Sequence, residues 1–149
     1  MRIYIPLILS DLAAEQIDVR RVHAVTPALC AAVPDEDAEG YEYMATLAAA
    51  DDSLRLIGQN PDTERRRVVA VAEVPDTAVA VAVDAQLPTE MDLFSQVRWK
   101  NVESFHIDLP GSEDLVERAI AGDEDAFMAT GDIELLWFDI TERLRLTDH

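Results

Sequence analysis

Apolar positions change period along this chain, and each change marks an element. Between residues 35 and 59, Met44, Leu47, Ala50, Leu54 and Ile57 recur every three or four residues, which collects them on one stripe of a helix. Asp35, Glu36, Asp37 and Glu39 crowd its start, where the helix dipole favours negative charge. Gly58 and Asn60-Pro61 supply its stop. Ahead of it, residues 2–9 read as a strand, and Pro6 places that strand near an edge or a bulge. Ser10-Asp11 caps a turn or two of helix over 12–16, and 19–26 reads as a second strand. Thr26 as N-cap with Pro27 at the first helical position predicts a short helix over 27–33.

Beyond the long helix the period drops to two. Residues 68–74 are nearly all Val and Ala, a composition suited to a strand buried on both faces at the centre of a sheet. Residues 78–83 alternate Ala and Val, and the turn Val74-Pro75-Asp76-Thr77 predicts a hairpin pairing them with that strand. Residues 93–97 fit either strand or helix. Residues 102–109 read as a strand, and Ser112 caps a helix to about Ala121. An acidic loop with one helical turn follows over 122–132, then a last strand over 133–138 and a short helix over 140–146. The pattern predicts an α+β chain forming a single domain over 1–149: one mixed sheet of about five to six strands, covered by helices mainly on one face.

Composition changes this picture in one respect. Thirty Asp and Glu against twelve Lys and Arg give a net charge of −18, and Lys100 is the sole lysine. Such a surface repels phosphate backbones and anionic lipid, so neither nucleic acid nor a membrane is an expected partner. Three roles fit the charge: a solvated surface, a docking surface for a basic partner, and a carboxylate-rich cation site. Cys30 is the one cysteine, so no internal disulfide is expected and a cytoplasmic location is. The apolar run at residues 3–9 reads as a strand, not as a signal peptide.

The phrases RIYIPLILSDL, AVTPAL, YEYMA, SLRL, RRRVVAVAEVPD and IELLWFD, in this order and spacing, resemble an uncharacterised family of small actinobacterial proteins known as a domain of unknown function. The resemblance covers nearly the whole chain. It implies a source lineage and one compact unit. It implies no reaction and hands over no catalytic residue.

The sequence lacks the glycine spacing of a phosphate-binding loop, the serine nucleophile elbow and the paired histidines of a zinc helix. Neither a cofactor nor a metal is expected. Candidate binding residues are therefore dispersed. His106 and Asp108 share a strand face two residues apart, and a nearby His23 would complete a two-His, one-carboxylate set. Arg65 and Arg67 alternate in the one basic cluster, Glu64 to Arg67, where planar guanidinium groups could hold a carboxylate or phosphate; neutralisation of neighbouring acids is the simpler role. Trp99, between Arg98 and Lys100, is the expected contact residue, whereas Trp137 sits in an apolar run and is expected in the core.

Two function classes follow. The preferred one is a non-enzymatic interaction or regulatory module, acidic and cytoplasmic, with a protein partner or a second copy of itself. The alternative is a small enzyme or ligand-binding domain using Tyr4, His23, Arg55, His106 and Asp108 on the sheet.

Overall fold

The structure, a computed structural model, describes residues 1–147. Its elements are β1 (Arg2–Leu7), β2 (Arg21–His23), α1 (Pro27–Ala32), α2 (Ala38–Gly58), β3 (Val68–Glu73), β4 (Val79–Val81), β5 (Glu90–Leu93), β6 (Val102–Asp108), α3 (Glu113–Ile120), α4 (Glu124–Thr130), β7 (Leu135–Asp139) and α5 (Arg143–Leu146). The strands form one sheet in the order β4-β5-β2-β1-β3-β6-β7. This is the expected α+β architecture, with seven strands instead of five or six. The pairings are antiparallel throughout, so the sheet is not mixed.

Alternation along the strands sorts residues between two faces. Tyr4, Val69 and Val71 point to α2, where they meet Ala45, Ala49 and Ala50. Ile3, Ile5, Leu7, Val68, Ala70, Phe105 and Ile107 point the other way, into a larger cluster closed by Leu9, Leu12, Ile17 and Val97 from the connecting segments. Trp99, Phe138, Ile140 and Leu146 pack against the margin of that cluster. A third cluster joins Leu54 and Ile57 of α2 to Val116 and Ala119 of α3 and Ala126 of α4.

The long helix starts where its acids predict, with the Asp37 carboxylate accepting from the Gly40 N–H at 2.8 Å. Ala50, Leu54 and Ile57 of the expected stripe are buried, but over the first turns the buried face is rotated from it. Ala45, Ala49 and Ser53 are fully buried, one per turn, while Met44 and Leu47 are half-buried. Small residues on that face let the helix backbone lie close on Val69 and Val71. Ser53 fastens the contact: its hydroxyl donates to Leu7 O at 2.6 Å and accepts from Val68 N–H at 3.0 Å.

Other expectations are corrected by the pairing. Residues 79–81 do not pair with β3, because β1 and β6 already occupy both of its edges. They pair instead with β5 at the far end of the sheet. Pro6 lies in an interior strand. Its nitrogen faces the β2 side, where Tyr4↔His23 is the one registered pair, and its carbonyl accepts from Arg20 Nη1 at 3.0 Å. The acidic loop holds a full helix, α4, capped by Asp123, whose carboxylate accepts from Ala126 N–H at 3.0 Å.

Candidate functional site

The basic cluster is spent inside the protein. Arg67 and Asp108 are both fully buried. The Arg67 guanidinium donates from Nε to Asp108 Oδ2 at 3.0 Å and from Nη2 to Oδ1 at 3.0 Å, and its backbone N–H donates to Oδ2 at 2.8 Å. Nη2 also donates to Thr130 O at 2.8 Å, while Nη1 is buried without a partner among the described residues. Arg66 grips the Asp108 carbonyl through Nε and Nη2. Arg65 bonds Glu117 Oε2 at 2.5 Å and the carbonyls of Ile57, Asn60 and Thr63. These arginines do hold a carboxylate, and it belongs to the same chain.

His23 sits in a second place. It is fully buried, with Nε2 2.5 Å from Asp52 Oδ2 and Nδ1 2.7 Å from Thr89 Oγ1. Burial pushes the Asp52 carboxyl up, but the hydrogen bond and charge of His23, together with Arg55, outweigh it and hold the group below 3.8. Asp51 beside it is raised, because burial outweighs the pull of Arg67 and Arg55. Arg55 is exposed and bonded to Asp52. Trp99 is tied down as well: its indole N–H donates to Ala14 O at 2.8 Å, and the Arg143 guanidinium lies 4.6 Å from its ring centroid.

The third place is concave. α2 packs on β1, β2 and β3, and beyond it the same face of the sheet carries the half-buried His106 and the exposed Trp137. The result is a groove of about 690 Å³, floored by Tyr4, Ser104 and His106 and walled by Tyr43 and Thr46 of α2 on one side and by Leu135 and Trp137 on the other. Tyr43 and Trp137 are 58% and 59% exposed, large aromatic surfaces left to solvent in one cleft. Glu39, Glu42, Asp132 and Glu134 line it too.

Against these four carboxylates stand Arg2 and His106. Arg2 is already engaged: Nη1 donates to Glu103 Oε2 at 2.5 Å, and Nε lies 3.7 Å from Glu42 Oε1 and 3.3 Å from Tyr4 Oη. His106 is pushed below its ordinary 6.5, first by burial and then by the Arg2 charge, so its ring is neutral at neutral pH. Burial raises the Tyr4 hydroxyl, which stays a phenol. The groove therefore has an acidic rim, a neutral polar floor and aromatic walls. That combination favours positive charge. No hydrogen bond joins Ser104 to His106 among the described residues. Nor do those residues hold a cluster of three His, Cys, Asp or Glu placed for a metal ion.

Of the dispersed set read from the sequence, Tyr4 and His106 meet in this groove, while His23 with Arg55 and Asp108 with Arg67 lie in two separate networks, the second fully buried. Arg2 and Glu42 were missed, and Trp137, expected in the core, is instead exposed. Trp137 had a signal: in Leu135-Leu136-Trp137-Phe138 alternation sets it on the face opposite Phe138, and α2 does not reach that far. Among the described residues no helix is long and apolar enough to cross a membrane. No curated protein and no solved structure matches the chain. A family model matches residues 1–146, and the chain belongs to that family of unknown function, DUF6912.

Proposed function

We propose that this protein is a non-enzymatic binding module whose working surface is the groove between α2 and the β6–β7 end of the sheet, and that the groove takes up a cationic group. The observation that carries this reading is the convergence of Tyr43, Trp137 and four carboxylates on one cleft whose only arginine is already paired. A guanidinium or ammonium entering there meets two aromatic rings and, beside Glu42, the carboxylates of Glu39, Asp132 and Glu134, an arrangement suited to cations. The cytoplasmic and actinobacterial setting belongs to the same reading, supported by the sequence resemblance and by the near-absence of lysine.

The test is a titration with N-acetylargininamide, followed by the ¹⁵N–¹H signals of the Trp137 indole and the His106 backbone. Saturable shifts are expected, with N-acetylglutaminamide giving none and Glu42→Gln or Trp137→Ala weakening the response. Equal shifts from the neutral amide, or none from the cation, would overturn the reading.

A further inference from the structure

β7 is the last strand of the sheet, and no strand among the described residues pairs with its outer edge. The parity of its ladder follows from one bond: Leu109 N–H donates to Glu134 O at 2.9 Å. In the antiparallel register Ile107↔Leu136 and Phe105↔Phe138, Leu136 and Phe138 then bond to β6, while the N–H and C=O groups of Leu135, Trp137 and Asp139 point outward. The Asp139 N–H is capped by Glu142 Oε2 at 3.0 Å. No described residue bonds the outward groups of Leu135 and Trp137. Edge strands are usually blunted by lysine, proline or brevity. β4, at the other end, has three residues, but β7 has five, Leu-Leu-Trp-Phe-Asp, without lysine or proline.

The same two residues that expose their backbone also line the groove with their side chains. A strand added antiparallel to β7, like every other pairing in this sheet, would set its residues opposite Leu135 and Trp137 in hydrogen-bonded pairs. The side chains of those residues would rise on the groove face, beside the Trp137 ring and towards the acids. Charge decides the occupant. A second copy brings another −18 and would set the acids flanking one β7, Glu134 and Asp139, beside those of the other; a basic segment brings complement.

We propose that β7 receives, by antiparallel strand addition, an extended segment of a partner protein with Lys or Arg at alternate positions, those positions facing the groove. This rests on the groove reading and adds a mode of binding to it.

The experiment uses the full chain and an alternating Lys-Thr peptide of about eight residues, a strand's usual length. In the proposed register the groove-facing Lys residues are also those whose N–H groups point at β7. N-methylation of the Lys amides should therefore weaken binding by about tenfold or more, while N-methylation of the Thr amides leaves it intact. Protection of the Leu135 and Trp137 amides from hydrogen exchange should accompany binding. The inverse pattern, or indifference to both modifications, overturns strand addition. If N-acetylargininamide still binds in that case, the groove reading stands without it. A Glu-Thr peptide that binds as well, or sedimentation showing the unliganded chain already paired through β7, also overturns the proposal.

Discussion

Replacing Asp108 tests the most buried electrostatic feature of the fold. Asp108→Asn keeps the size and one acceptor but removes the charge that Arg67 faces. The guanidinium is fully buried and donates to both Asp108 oxygens, so bulk water does not stand in for what is lost. Breaking a buried pair from one side costs about 3–5 kcal/mol, because the remaining charge is left uncompensated. That is a large share of the roughly 5–15 kcal/mol that holds a domain together. At roughly 2–4 °C per kcal/mol for a chain near this length, the melting temperature should fall by roughly 6–20 °C. Removing both partners, Arg67→Met with Asp108→Leu, leaves no stranded charge and should recover most of the loss. Urea unfolding of Arg67→Met, Asp108→Leu and the double variant gives the coupling directly, provided the m-values agree. A loss below about 1 kcal/mol for Asp108→Asn, or a double variant as unstable as the sum of the singles, would refute the argument.

Three further outcomes are expected. Ser53→Ala leaves Leu7 O and Val68 N–H without their shared hydroxyl and should cost about 2–4 kcal/mol, with hydrogen exchange at Val68 accelerated; unchanged exchange there argues against the bridge. Ala49→Leu places a large side chain on a fully buried helix face against Val69 and Val71 and should cost about 1–3 kcal/mol, read as a lower urea midpoint. The depressed His106 favours the neutral ring in the folded chain, so its share of stability is present above 6.5 and is lost as pH falls through the lower folded value. Wild type minus His106→Gln, compared by urea midpoints across that window, should show the decline, and a flat difference contradicts it.

Much of the secondary structure was readable from local pattern. The long helix, its acidic cap, the central Val-Ala strand and the helix after Ser112 follow from spacing and end signals, which act within a few residues, although the Ser112 hydroxyl donates back to Leu109 O and does not cap that helix. The α+β class follows from their order. Other features depended on partners distant in sequence. The partner of residues 79–81 was decided by which strand edges were still free, and that depends on β1 and β6 arriving from both ends of the chain. The helix face turned to Ala45, Ala49 and Ser53 because close approach to the sheet rewards small residues over larger apolar ones.

The site shows the same division. Sequence named Tyr4, His106, Arg67 and Asp108, and alternation alone could have set Trp137 opposite Phe138. It could not show that Asp108 is consumed by Arg67, or that α2 ends its coverage before β7. By itself the sequence determined where elements begin and end, which residues alternate, and how acidic the surface is, because those are properties of neighbours along the chain. Tertiary structure alone decided which carboxylates are paired and which stay open, and which strand edge faces water, because hydrogen bonds and burial are shared between segments that the chain brings together only on folding.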